Sequence, residues 1–398
     1  MKRFLLISDV HASDVDPASS KAPSYVSSYK STSRTILDPI SELERLIREE
    51  KLAPDCILCA GDVTNKSLPS PFSFAWKKLD DLAKSCGVMF ITTVGNHDVD
   101  SRYKSNAYDP RGFAMSLVPR IPVPDRRHFL EYWAENFTLI SNEECNLLVL
   151  NTAAYHGAGK DAAAEIEHGR ISDATLAAIG ETVKNIPTRP VNILLCHHHL
   201  IRPEPSDSEL RGQTRGGEQL VRLLSDVDGA WIIVHGHKHI PDLFYAPGGS
   251  NAPVILGCAS FSAQVNEDAQ NKNPNQVHLL VCDPDGANSA GLASAGQIIS
   301  WTWQPGVGWR KAQGPHGLRH SVGFGHRTSV APLVDELERH LTSSAAGYLR
   351  WEDAVNVLPS LQRLVPADIV RLERSLDQRG LRILTDSDGS NAQVGRRA

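Results

Sequence analysis

Near the N-terminus, three short apolar runs each stop at a side chain that can hold a metal ion or carry a proton. That repetition limits how the chain can fold more than any other feature. Phe4 to Ile7 runs into Ser8-Asp9-Val10-His11, Asp55 to Ala60 into Gly61-Asp62, and Val88 to Val94 into Gly95-Asn96-His97-Asp98. Between the first two runs, apolar residues recur at helical period at Ile36, Leu37, Ile40, Leu43, Leu46 and Ile47, and a second helix is expected through Phe74 to Ala83. Strands that are apolar throughout, alternating with amphipathic helices, predict an α/β fold with strands covered on both faces. Ligands of such sheets sit beyond the carboxyl ends of the strands, so the polar groups at those ends are expected to converge.

The pattern continues downstream. Leu147 to Asn151 and Val191 to Cys196 read as further strands, with a helix around Ser172 to Val183 between them, and the second strand ends in His197-His198-His199. Ala230 to Val234 follows a helix near Glu218 to Leu224 and runs into His235-Gly236-His237-Lys238-His239. Alternation places His237 and His239 on one side, whereas three consecutive imidazoles cannot all face one site. One of His197 and His198 is therefore expected to be a ligand, and His197 is chosen because it comes first after the strand. His235 is expected to pack at its strand end. Val254 to Gly257, Val277 to Cys282 and Ile298 to Trp303 add strands, and Trp301, Trp303 and Trp309 are expected in the core or at a domain interface.

Two segments interrupt the periodicity. Ala12 to Ser33 reads as a long loop beside the site, and residues 99 to 145, with Pro110, Pro119, Pro122 and Pro124, read as an insertion with a covering helix. A chain of 398 residues exceeds what one core usually fills. The expected division is a main domain over 1–312, a linker over 313–330, a small mainly helical domain over 331–386 and a flexible tail over 387–398. Leu333, Leu337 and Leu341, then Ile369, Leu372 and Leu376, mark two helices of the small domain, with a third element from Gly347 to Pro359.

A net charge of -5 argues against extended nucleic-acid binding and against attraction to anionic membranes. No run approaches the roughly 18 apolar residues that a membrane span needs. The seven cysteines are odd in number and lack framework spacing, which reads as reduced thiols and leads us to expect a cytoplasmic protein.

Collected from the strand ends, the polar set is Asp9, His11, Asp62, Asn96, His97, His197, His237 and His239. These are nitrogen and oxygen donors with no thiolate among them, which suits manganese, iron or zinc. So many donors fit two divalent or mixed-valence ions better than one, and a pair about 3.5–4 Å apart needs a bridging carboxylate, for which Asp62 is placed.

In the order Asp9-x-His11, Gly61-Asp62, Gly95-Asn96-His97-Asp98, His197 and Gly236-His237-x-His239, the chain resembles the calcineurin-like metallophosphoesterase superfamily over roughly residues 1 to 310. The resemblance implies a layered fold with mixed central sheets flanked by helices. It implies Asp9, His11, Asp62 and His239 at one ion, and Asp62, Asn96, His197 and His237 at the other. It leaves His97 as the catalytic acid with Asp98 as its carboxylate support. The reaction implied is hydrolysis of a phosphate ester by a hydroxide bridging the two ions. The motif string is similar to that of bacterial cyclic-nucleotide phosphodiesterases, so a nucleotide or cyclic-nucleotide diester is the expected substrate. Phosphomonoesterase and nuclease relatives carry the same ligands, and a non-catalytic assembly scaffold is the alternative of another class.

Residues 347 to 385, through Gly347-Tyr348-Leu349, Trp351-Glu352-Asp353, Leu358-Pro359 and Gly380 to Leu384, are similar to the small N-terminal domain of primary sigma factors. That resemblance implies a protein partner or autoregulation through this segment.

Overall fold

The structure is a computed structural model that describes residues 1–30, 37–158, 168–201, 213–264, 273–313, 316–343, 347–386 and 389–397. Ile36, the end of the Ala12 to Ser33 loop, and part of the expected linker and tail lie outside the described residues. Strands β1 (Lys2–Ile7), β2 (Cys56–Cys59) and β3 (Met89–Thr92) are parallel neighbours, with Leu5 beside Ile57 and Ile57 beside Phe90. The connecting helices are Pro39–Glu49 and Pro69–Cys86. Asp38 caps the first by accepting the Ser41 N–H at 2.9 Å, and the second ends at Gly87 in the left-handed conformation.

A second sheet uses β4 (Phe137–Ser141), β5 (Cys145–Leu150), β6 (Val191–Leu195), β7 (Trp231–His235), β8 (Asp242–Tyr245) and β9 (Val254–Gly257), in the order β4-β5-β6-β7-β9-β8. Its four central strands are parallel and its two edge strands antiparallel. The chain then returns to the first sheet with β10 (Gln276–Cys282), β11 (Gly296–Gln304), β12 (Gly308–Lys311) and β13 (Ser321–Phe324). There β10 pairs antiparallel with β1, so the order is β12-β11-β10-β1-β2-β3, with β13 on β11.

Strand periodicity explains the layers. Leu147, Val149, Ile193, Leu195, Ile232 and Val234 enter the core between the sheets. Their neighbours Leu148, Leu150, Leu194, Trp231 and Ile233 pack outward, in one cluster with residues of helices Asp173–Asn185 and Gly217–Asp226. The expected mixed α/β architecture is present, and Trp301, Trp303 and Trp309 are buried in the main core, where the Trp309 indole N–H donates to the Pro39 carbonyl at 3.0 Å.

The C-terminal unit is mainly helical, as expected, and departs from expectation at its tail. Helices Ala331–Ser343, Trp351–Val357 and Pro366–Gln378 are joined by a three-stranded sheet of β14 (Tyr348–Arg350), β15 (Leu381–Thr385) and β16 (Asn391–Arg396), in the order β14-β16-β15. Helix nevertheless predominates, and the sheet is a small addition to it. Residues 391–396, expected as part of a flexible tail, form the central strand. The sequence Asn391-Ala-Gln-Val-Gly-Arg396 offers one buried apolar residue, Val394, so little periodicity announces a strand whose pairing is made by backbone groups. Likewise β13 lies inside the expected linker, and only Val322 and Phe324 face the core.

This unit is joined firmly to the main domain. The N–H groups of Gly323 and His326 donate to the carbonyls of Leu364 and Arg363, each at 3.0 Å, and Arg319 forms a two-pronged pair with Glu373. Val365 and Ile369 pack against the main core.

Candidate metal centre

The parallel strands of both sheets deliver the expected donors to one place. Asp9 and His11 follow β1, Asp62 follows β2, Asn96 and His97 follow β3, His197 follows β6, and His237 and His239 follow β7. Eleven non-glycine residues among those described have positive φ, and five of them are Asp9, His11, Asp62, His237 and His239, at +50° to +80°. Such conformations cost about 1–3 kcal/mol each and persist only where the surroundings enforce them. Here the enforcement is visible. The Ser260 hydroxyl donates to the Asp9 carbonyl, and those of Ser24 and Ser262 to the Val10 carbonyl, each at 2.7 Å. Ser24 belongs to the long loop after His11, which therefore fixes the backbone of the site.

The side chains fall into two overlapping groups. In the first, His239 Nε2 lies 3.0 Å from His11 Nε2 and 3.3 Å from Asp9 Oδ1, and His11 Nε2 lies 3.7 Å from both Asp9 Oδ1 and Asp62 Oδ2. In the second, His197 Nε2 is 3.3 Å from Asp62 Oδ2 and 3.1 Å from Asn96 Oδ1, which is itself 3.0 Å from His237 Nδ1. Donors about 2.1 Å from a shared ion sit roughly 3.0–3.4 Å apart, so both groups fit a cation. Asp62 Oδ2 belongs to both. Its other oxygen accepts the His97 N–H at 2.7 Å.

Close approach dictates two glycines. A Cβ on Gly95 would stand 2.1 Å from Asp62 Oδ1, and one on Gly236 would stand 1.9 Å from the Ser8 hydroxyl and 2.4 Å from Asp9 Oδ2. Asp9 is held by the Ser8 hydroxyl at 2.5 Å and the His237 N–H at 3.1 Å.

Electrostatics follows the same grouping. Burial alone would raise the Asp9 and Asp62 carboxyls, but the surrounding imidazoles outweigh it and hold both below the usual range. His197 is pushed up to about 9: burial opposes its charge, and the Asp62 and Asp9 carboxylates overcome it. Its Nδ1–H donates to the Ala60 carbonyl at 2.7 Å, which turns Nε2 toward Asp62 and Asn96.

His198 borders the second group, with a ring nitrogen within 4.8 Å of those of His197 and His237. Its Nδ1 is 2.8 Å from the Thr152 hydroxyl and its ring stacks on His156 at 5.2 Å and lies 4.5 Å from that of His237. Of the consecutive pair, His197 is the one that meets the carboxylate and the amide. His235 packs on His199 at 4.3 Å.

His97 is brought to the edge of the group, its ring edge-on to His11 at 4.6 Å. Its Nδ1 accepts the Lys66 N–H at 3.2 Å and lies equally far from Asn65 Oδ1. Burial lowers the ring to about 4. Asp98 is not beside that ring, and the expected carboxylate support is corrected here. Its two oxygens accept the N–H groups of Thr64 and Gly95, at 3.1 and 2.9 Å, so Asp98 ties the Asp62 loop to the Gly95 turn. Burial, with the nearby Asp62 charge, raises its carboxyl to about 7.

A family model described as calcineurin-like phosphoesterase matches residues 2–241, more than half of the chain. The chain belongs to the calcineurin-like phosphoesterase family. A second model, described as wHTH-Calcineurin_assc, matches residues 322–378, which hold the three helices and β14 of a winged-helix-like unit; β15 and β16 follow the matched segment. No finding supports the sigma-factor likeness of this segment. Among solved structures, a dimetal phosphatase from Danio rerio is 12% identical, with 77% of this chain and 97% of that one covered and a TM-score of 0.48. GAP50, titled the anchor in the inner membrane complex of Plasmodium, is 16% identical, with 77% of this chain and 85% of that one covered and a TM-score of 0.41. No curated protein matches the chain in sequence.

Sequence reasoning missed several supports of this phosphoesterase site. Asn65 and Lys66 were legible only as residues after Gly61-Asp62, and nothing local indicates that their loop reaches the His97 ring. Ser8, Ser24, Ser260 and Ser262 act through contacts between distant segments, which no local period encodes.

Proposed function

We propose that this phosphoesterase holds two metal ions and hydrolyses a phosphodiester, with a nucleotide or cyclic nucleotide as the substrate class. The observation that carries the binuclear reading is the position of Asp62 Oδ2, within 3.7 Å of His11 Nε2 and 3.3 Å of His197 Nε2. Asp9, His11, Asp62 and His239 would hold one ion, and Asp62, Asn96, His197 and His237 the other. Manganese, iron and zinc suit these nitrogen and oxygen donors. Such ions supply Lewis acidity at the phosphoryl oxygens and lower the pKa of water.

The chain's own residues supply the rest. Asp9 and Asp62 enter the site ionised because imidazoles surround them, and Gly95 and Gly236 let their carboxylates approach the backbone. With Nδ1 accepting from Lys66, His97 carries its proton on Nε2. An anionic phosphoryl group beside the ring would raise its proton affinity, so that Nδ1 takes up a second proton and turns it to Asn65 Oδ1, 3.2 Å away. The resulting imidazolium gives its Nε2 proton to the departing alkoxide and returns to the neutral ring. Seven free cysteines suit a reducing, cytoplasmic compartment. No helix among the described residues is long and apolar enough to cross a membrane.

The test is protein reconstituted with manganese, iron or zinc and assayed on bis-p-nitrophenyl phosphate and p-nitrophenyl phosphate. Faster cleavage of the diester and two ions per chain are expected. Preference for the monoester would overturn the diesterase reading, and one ion per chain would overturn the binuclear one.

A further inference from the structure

The main domain and the winged-helix unit line a half-open cavity of about 680 Å³, away from the metal-centre residues. One wall is Tyr245 with the β8–β9 turn at Gly248, Gly249 and Ser250; another is the connecting segment from Arg327 to Val330; the third is Asp368 and Arg371 on helix Pro366–Gln378. The volume lies within the range of small-molecule sites.

Arg327 is the unusual wall residue. Its guanidinium carbon sits 4.0 Å from the centre of the Tyr245 ring, and Nη2 donates to the Ala252 carbonyl at 2.6 Å. Tyr245 is fixed in turn, accepting the Gly325 N–H at 2.7 Å and donating to the His326 carbonyl at 3.1 Å. No carboxylate among the described residues forms an ion pair with Arg327. A guanidinium does not lose its proton in proteins, so removing it from water without a counter-charge is costly. Burial does weaken its hold on that proton. Arg371 faces the same space and is paired with Asp368 at 2.7 Å, so two guanidinium groups face one carboxylate.

We propose that this seam cavity is a binding site for a small phosphate-bearing molecule, with Arg327 and Arg371 gripping the phosphate oxygens. Planar guanidinium groups match phosphate in a two-pronged manner, and the Tyr245 ring holds the Arg327 plane in orientation. The Ser250, Thr328 and Ser329 hydroxyls and the open Gly248-Gly249 backbone suit a polar ligand. Because the walls come from both units, occupancy would tighten the seam between them.

Titration calorimetry on the metal-loaded full chain tests this with orthophosphate, with phenylphosphonate, which has no ester bond to cleave, and with neutral benzyl alcohol. Two classes of site are expected for the phosphate probes, one at the metal centre and one at the seam. Arg327→Gln should abolish the seam class, and Arg371→Gln should weaken it about tenfold, the worth of one charge-assisted contact. Both should leave the metal-centre class unchanged, so failure here is distinguishable from failure of the proposed activity. If Arg327→Gln does not fold, Arg327→Lys and Arg371→Gln carry the test. A single class in the unaltered protein, equal binding in the variants, or benzyl alcohol competing as tightly as phenylphosphonate would overturn the proposal.

Discussion

The metal centre and the winged-helix unit are built on opposite principles. At the centre, five non-glycine residues are held at positive φ, two carboxylates stay ionised against burial, and glycines are required because side-chain oxygens stand where a Cβ would be. In the winged unit, residues of the three helices and two of the strands close on an apolar core, while ion pairs such as Arg339–Glu336 lie on its surface. Strain tolerated in one region and avoided in the other indicates where selection has favoured chemistry over stability.

The largest expected effect comes from Asp62, which belongs to both donor groups. Asp62→Asn removes the shared charge while keeping the shape. Metal content should fall at both positions, and activity should fall by more than the roughly 100-fold that outer-sphere changes cost. Elemental analysis and turnover check this. Retention of two ions per chain would mean that Asp62 is not the bridge.

His97 and Asp98 sharpen the contrast inside the turn. His97→Ala should lower turnover about 10²–10⁴-fold, as expected for loss of a proton donor, with metal content unchanged. Asp98→Asn should instead act on stability, read as a lowered urea midpoint, because Asp98 binds the Thr64 and Gly95 N–H groups. Equal turnover losses in the two variants would restore a ring-orienting role for Asp98.

His278 provides a pH test away from the centre. It is wholly buried on β10, with Nδ1 2.8 Å from the Ser300 hydroxyl, and burial lowers it to about 3. His197 is equally buried, yet its carboxylate neighbours raise it to about 9. Since an unfolded histidine titrates near about 6.5, the folded state binds fewer protons below that pH. The His278 contribution is therefore complete above about 6.5 and is lost as pH falls toward about 3. Urea midpoints at pH 7 and pH 5 should differ less in His278→Asn than in the unaltered protein. An unchanged difference would exclude this histidine as a source of acid sensitivity.

Much of the centre was legible because its chemistry restricts residue type. Asp9-x-His11, Gly61-Asp62, Gly95-Asn96-His97 and the two later histidine blocks each follow an apolar run, and strand ends can be read from such runs. The parts that escaped were set by pairing between distant segments. The β16 strand has one buried apolar residue, β13 has two, and Asn65 meets His97 across separate loops. Asp98 was misread because adjacency in sequence does not fix which backbone groups a carboxylate will meet.

The seam itself separates packing from charge. A Cβ on Gly323 would stand 1.8 Å from the Gln362 carbonyl oxygen, and the Gly323 N–H already donates to Leu364. Gly323→Ala should push the winged unit off β13 and lower stability by about 1–3 kcal/mol, the usual cost of overpacking. Chemical denaturation would measure it.

Arg319→Gln is the smallest and most discriminating change. It breaks the pair with Glu373 on helix Pro366–Gln378, but both side chains remain more than a third exposed, and water screens such pairs. The loss should be below about 1 kcal/mol and should shrink further in high salt. If it equals that of Gly323→Ala, charge holds the winged unit in place. If it is several-fold smaller, the unit is held by backbone hydrogen bonds and by Val365 and Ile369 against the main core. Tight docking of this kind leaves helix Pro366–Gln378 only partly free, since Asp368, Ile369, Arg371 and Glu373 already face or bind the main domain. A nucleic-acid groove would have to compete with those contacts, whereas a small ligand at the seam would add to them.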